Sequence, residues 1–161
     1  MFDKFGEFDS CEELNMAAEG LKVEGDIENL IKLAIENGLD EADAQDYVDG
    51  VTPLSTPITA ALGKLSVETK DLKPSEIVSD WIDYINSEVM DDPDFARAVR
   101  RKGKSLIGCI GALLKWSYRN KYEVDDRIIK ASGISASGVE MGIPGMATAK
   151  TIIRGYYGCE S

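Results

Sequence analysis

Arg97, Arg100, Arg101, Lys102 and Lys104 place five cations within eight residues. Side chains of this type can neutralise phosphates or carboxylates, and a cluster on one segment is the electrostatic footprint of a polyanion contact. On a helix, Arg97, Arg101 and Lys104 lie three or four residues apart and line one side, and Arg100 and Lys104 pair likewise. Lys150, a few residues after the turn GIPG, joins them as a sixth candidate. The competing reading is intramolecular, with the same cations clamped onto Asp91, Asp92, Asp94 or the acidic half of the chain. Trp116, Tyr118, Tyr122, Tyr156 and Tyr157 can stack bases. Their helical spacing with aliphatic residues places most of them in the core, leaving Tyr122 and Tyr157 as the exposed candidates.

Catalytic chemistry finds little to work with. The chain has no histidine, which removes the commonest general base and metal ligand. Cys11, Cys109 and Cys159 are scattered and lack the CxxC spacing of a zinc site, so neither a metal nor a cofactor is called for. GKS at 103–105 resembles the end of a phosphate loop, but Ala98 stands where the motif needs glycine and the preceding sequence is helical. GIPG at 142–145 precedes a helical stretch, and exposed amides at a helix start can hold phosphate. Without the flanking strands of a KH domain, it reads as a structural turn. Asp40, Asp43, Asp46 and Asp49 recur every third residue, a helical spacing and not the alternation of a calcium loop. The hairpin around Gly38 has helix-turn-helix spacing, yet its second helix would offer phosphates only acidic residues.

The net charge of −11 hides an asymmetry. Residues 1–94 carry 24 acidic and 6 basic side chains, and residues 95–161 carry 5 acidic and 12 basic, so the halves stand at −18 and +7. Such a split points either to partners or to attraction between the halves. Hydrophobic residues make up 43% of 161, enough for one compact domain. No apolar run approaches the ~18 residues of a membrane span. An acidic start without an apolar signal core, together with three unpatterned cysteines, suggests a reducing cytoplasm.

Several elements are needed to position these residues. Asp9 or Ser10 caps a first helix, and Ser10 with Glu13 has capping-box spacing. Asp26 opens a second helix, which Gly38 stops, and Asp40 caps a third. Residues 1–50 thus form an acidic helical subdomain. Residues 51–73 read as a connector containing Pro53 and Pro57, with a short helix from about 57 to 65. Residues 74–161 form a helical core that carries the basic segment. Within it, SEIVSDWIDYINSEVM is strongly amphipathic, and Asp92–Pro93 starts the basic helix. Residues 106–118 are apolar on nearly every side, which predicts a central buried helix over about 104–120. EVDDRIIKA and MATAKTIIRGYY supply two more helices. ISASGVEMGIPG is a glycine-marked loop stretch that allows an extended segment or a tight hairpin and is assigned neither. No segment alternates with period two, so the expectation is an all-α fold of seven or eight helices around that central helix.

FDSCEELNMAAEGLKVEGD, ENGLDEADAQDYVDG, RKGKSLIGCIGALLKWS and GIPGMATAKTIIRGYY together resemble the PcfK-like proteins, small proteins of conjugative elements in Firmicutes. The resemblance runs over nearly the whole chain. It implies a bacterial cytoplasm and a mobile-element setting, and carries over no functional residue. With the basic segment, it leads to the expectation of a non-enzymatic accessory protein. That protein would contact nucleic acid or an acidic protein of the DNA-transfer machinery, with no membrane partner. The alternative is an acidic nucleic-acid mimic that inhibits a host defence nuclease.

Overall fold

A computed structural model describes residues 1–159. Glu160 and Ser161, the end of the expected 74–161 core, lie outside the described residues. The fold is all-α. Helix α1 spans Cys11–Glu24. It begins where the Ser10 hydroxyl accepts the Glu13 amide at 3.1 Å, while the Glu13 carboxylate accepts the Asp9 amide at 2.6 Å. It runs through Gly20 and stops at Gly25, which is left-handed at φ 74°. Helix α2 (Ile27–Glu36) is capped by Asp26, and α3 (Glu41–Val48) follows the tight turn at Gly38. Leu14, Ala18, Leu30, Leu33, Ala34 and Ala44 close a first core between these three helices, with Leu39, Leu54 and Ala60. Burying each leucine contributes about 1.5–3 kcal/mol.

The connector expected at 51–73 is instead dominated by a long helix, α4 (Pro57–Leu72), of 16 residues. Thr56 and Thr59 cap it reciprocally, and Pro57 supplies a first-turn position that needs no amide. Its length is set by what it buries. Ala60 belongs to the first core and Ala61 and Leu65 to the second. Gly63 brings α4 against the α2–α3 turn so closely that a Cβ there would stand 2.4 Å from the Asn37 carbonyl oxygen. A Cβ on Gly38 would stand 2.1 Å from the Gly63 oxygen.

Helix α5 (Ile77–Asp91) and α6 (Pro93–Arg100) meet at Asp92, whose carboxylate accepts the Asp94 and Phe95 amides. Helix α7 (Leu106–Arg119) is capped by Ser105. A two-residue antiparallel ladder pairs β1 (Tyr122–Glu123) with β2 (Glu140–Met141), with α8 (Asp126–Ser132) between them. This settles the ISASGVEMGIPG stretch as partly extended. Helix α9 (Met146–Tyr157) closes the second core with Ala149, Ile153 and Tyr157.

The central helix differs from expectation. Only Leu106, Cys109 and Leu113 of α7 are buried, facing α4 and α9. Ile107, Leu114 and Tyr118 are 59%, 67% and 77% exposed. The helix shared by both cores is α4, and α7 lies against it with one face uncovered. Among the described residues no helix is long and apolar enough to cross a membrane.

Candidate interaction surfaces on the basic half

The basic run straddles the end of α6 and the turn leading into α7. That turn is fixed from below by α4. Lys64, fully buried, donates to the Arg101 carbonyl at 2.9 Å and to the Lys104 carbonyl, and pairs with the Glu7 carboxylate. One helical turn later, Glu68 accepts the Leu106 amide at 3.0 Å, satisfying a first-turn donor of α7. Burial pushes the Glu68 carboxyl above the usual carboxylate range, against the pull of that amide and of Lys64. From above, the N-terminal segment closes the turn. Asp9 accepts the Lys102 amide at 2.9 Å and Glu7 accepts the Gly103 amide at 3.4 Å.

The six candidate cations therefore do not share one exposed side. Arg100 is buried, 1% exposed, and donates from Nη2 to Asn37 Oδ1 at 2.7 Å. It cannot reach a polyanion across the surface, and this corrects its place among the candidate polyanion contacts. Burial lowers its pKa, opposed by Glu7 and Glu68. Lys104 is turned inward too, with Nζ on the Tyr156 carbonyl at 2.6 Å and over the Tyr156 ring. Arg97 is exposed and pairs with Asp94 at 3.3 Å. Arg101 and Lys102 are exposed, and Lys150 stands apart on α9 over the Tyr84 ring. Arg97 and Arg101 remain side by side with Arg100 around a small cavity at the start of α1.

The aromatic assignments change as well. Tyr157, expected on the surface, is buried edge-on to Phe95 at 5.5 Å. Tyr118, expected in the core, is one of the most exposed apolar side chains, while Tyr122 is exposed as expected. Two cysteines are shielded, with burial pushing Cys11 up to about 11 and Cys109 up to about 12, so neither is a ready thiolate.

A second surface lies on α7. Ile107, Gly111, Leu114 and Tyr118 are spaced four, three and four apart, one continuous outer stripe. A Cβ at Gly111 would meet nothing within 4 Å, so the middle of the stripe is open. The stripe continues at its C-terminal end. Lys121 Nζ lies 5.3 Å from the Tyr118 ring centre, and Tyr122 is paired with Met141 across the ladder. Gly142 holds that ladder to α7, since a Cβ there would stand 2.5 Å from the Ser117 oxygen. Lys115, Arg119 and Lys121 rim the patch and are exposed. Sequence reading missed this surface because it treated every apolar residue of 106–118 as core. The signal available was Lys115 and Arg119, which a helix buried on all sides would not carry.

No protein-family model, no curated protein and no solved structure matches the chain.

Proposed function

We propose that this is a non-enzymatic interaction protein whose basic half binds an acidic, amphipathic segment of a protein partner along the outer face of α7. The observation that carries the reading is the uncovered stripe Ile107–Leu114–Tyr118 with cations on its rim. Exposed apolar surface rimmed by polar residues is what a docking site offers. Anchors at four, three and four spacing put one continuous apolar ridge on the outside of α7, which suits side-by-side packing with an amphipathic helix of the partner. Aliphatic anchors beside the tyrosines favour the apolar side chains of a protein over bases, which stack chiefly on aromatic rings and guanidinium planes. Lys115, Arg119 and Lys121 select carboxylates on the partner's flanks. The resemblance to PcfK-like proteins adds a cytoplasmic, mobile-element setting, in which the partner belongs to DNA-transfer machinery.

The acidic-mimic reading rests on a separate face, where Asp40, Glu41, Asp43, Asp46 and Asp49 are exposed along α3 with no cation among them. One experiment tests the docking face against a nucleic-acid surface and against self-association. Fluorescence anisotropy is measured with a labelled acidic amphipathic peptide, its scrambled counterpart, and single-stranded and duplex oligonucleotides. Wild type should bind the amphipathic peptide, and Leu114→Asp with Tyr118→Ser should weaken it about tenfold or more. Binding of oligonucleotides alone contradicts the proposal in favour of a nucleic-acid surface. Concentration-dependent dimerisation lost in Leu114→Asp contradicts it in favour of a second copy.

A further inference from the structure

Residues 1–9 form no helix or strand, yet they lie along the body from α2 to the turn between α6 and α7. On α2, the Glu36 carboxylate accepts the Lys4 and Phe5 amides at 3.1 and 2.9 Å, and Lys4 Nζ donates to Asn29. Gly6, left-handed at φ 81°, then bends the segment toward the turn. There Glu7 pairs with buried Lys64 and accepts the Gly103 amide at 3.4 Å, and Asp9 accepts the Lys102 amide at 2.9 Å. The segment ends at the cap of α1, where the Glu13 carboxylate accepts the Asp9 amide.

Its hold on the body is mostly polar. Phe2, Phe5 and Phe8 are only half-buried, and none of residues 1–9 is fully buried. A segment with little buried apolar surface, held by hydrogen bonds, opens locally without unfolding the rest. The closed state also carries a cost at Arg100. Phe2 lies over its guanidinium, 5.9 Å from ring centre to the guanidinium carbon, and the buried Nε and Nη1 have no hydrogen-bond partner among the described residues. Lifting Phe2 admits water to that side of the guanidinium.

The segment is at the same time a ligand seen in place. Asp3, Glu7 and Asp9 outnumber Lys4, and the turn they cover carries Arg101, Lys102 and Lys104. Glu7 and Asp9 meet a buried ammonium and two successive backbone amides, a set of donors that suits carboxylates. We infer that residues 1–9 are an autoinhibitory strap, and that lifting them opens the α6–α7 turn to an acidic, aromatic segment of a partner protein. The partner's carboxylates take the places of Glu7 and Asp9, and its aromatic ring takes that of Phe2 on Arg100. Strap and partner compete, so the affinity of the wild type for the partner is reduced by the fraction of molecules whose strap is lifted. This site stands apart from the outer face of α7 and does not rest on it.

Two measurements on the full chain test this. Amide hydrogen exchange compares wild type with a Phe2→Ala, Glu7→Gln double variant. Relative to Leu113 in the core, the Lys102 and Gly103 amides should exchange about tenfold or more faster in the variant. Fluorescence anisotropy then uses a labelled peptide of the strap sequence, MFDKFGEFD, as the probe. It should bind the variant about tenfold or more tightly than wild type, whose own strap competes. The same peptide with Glu7→Gln and Asp9→Asn should lose that binding, and adding Leu114→Asp to the variant should leave it unchanged. Unchanged exchange at Lys102 and Gly103, equal peptide binding by wild type and variant, or binding to neither overturns the strap. Loss of binding on Leu114→Asp places the peptide on α7 and overturns the turn as its site. Wild-type dimers that the peptide dissociates assign the turn to the strap of a second copy and overturn the partner. Phe2→Ala alone, which leaves Lys64 paired, repeats both measurements where the double variant does not fold.

Discussion

Arg100 of α6 and Asn37 at the end of α2 are joined by a 2.7 Å hydrogen bond across 63 residues of sequence, and both side chains are buried. The Asn37 amide in turn donates to the Leu33 carbonyl at 2.9 Å, so the last turn of α2 presents its oxygen to the guanidinium in one orientation. This bond is a polar tie between the two apolar cores.

Asn37→Ala would remove the acceptor that Arg100 Nη2 holds and leave all three guanidinium nitrogens without a hydrogen-bond partner among the described residues. A buried donor without a partner costs about 1–3 kcal/mol, more when charged. Chemical denaturation should show a loss of about 2–3 kcal/mol. In a double-mutant cycle with Arg100→Met, the two losses should be strongly non-additive. Additive losses would mean that the bond does not couple the cores.

The Gly38–Gly63 approach makes a second prediction. Gly63→Ala forces a methyl into the Asn37 carbonyl, and backbone cannot yield as a side chain can. The variant should lose about 2–4 kcal/mol. Gly111→Ala, in open space on α7, should gain about 0.5–1 kcal/mol from helix propensity. A thermal melt of both variants checks the contrast. Equal shifts would mean that the α4 contact is not close.

One-sided packing of α7 predicts opposite outcomes for two adjacent leucines. Leu113→Ala empties a fully buried position and should cost about 2–5 kcal/mol. Leu114→Ala, mostly exposed, should stay within about 0.5 kcal/mol of wild type. Similar losses for both would restore a helix buried on all sides.

Glu68 gives the pH dependence a distinctive sign. Its folded-state pKa is raised by burial, so the folded chain holds a proton more readily than the unfolded one. Ionised Glu68 therefore costs stability well above that raised value, and the cost fades as pH falls toward the unfolded value near about 4.3. Glu68→Gln keeps an oxygen for the Leu106 amide and removes the titration. The stability of wild type relative to this variant should rise as pH falls from about 7 to about 5. Asp92, held low first by the Phe95 amide and then by Arg154, acts in the opposite sense. Its stabilisation is present above the unfolded value near about 3.9 and is lost as pH falls through the folded one. It titrates in both proteins and cancels in the difference. A relative stability that drops as pH is lowered over that range would contradict the assignment.

Local signals carried most of the fold. Ser10, Asp26 and Asp92 cap as their spacing indicates, and the α2, α5 and α9 stripes face inward. What the spacing could not convey is long-range. Lys64 sits in a stretch read as connector, and its burial depends on carbonyls 37 and 40 residues away and on Glu7. The Gly63 signal was visible as a small residue, but its partner across the core was not. The basic run was visible as composition. Its division into buried Arg100, inward Lys104 and exposed Arg101 follows from the turn that Lys64 and Asp9 hold. The exposure of Leu114 and Tyr118 depends on which faces of α7 the neighbouring helices reach.

The most direct test of the α7 docking face is a photo-crosslinking amino acid placed at Leu114, with a matched protein carrying it at Glu41 on α3. Both are expressed in the host and their adducts mapped by mass spectrometry. Position 114 should crosslink to an acidic helical segment of another protein, and charge reversal of the rim, Lys115→Glu with Arg119→Glu, should abolish the adduct. Crosslinks from position 41 to a nuclease, with none from position 114, would contradict the docking face and establish the acidic-mimic reading.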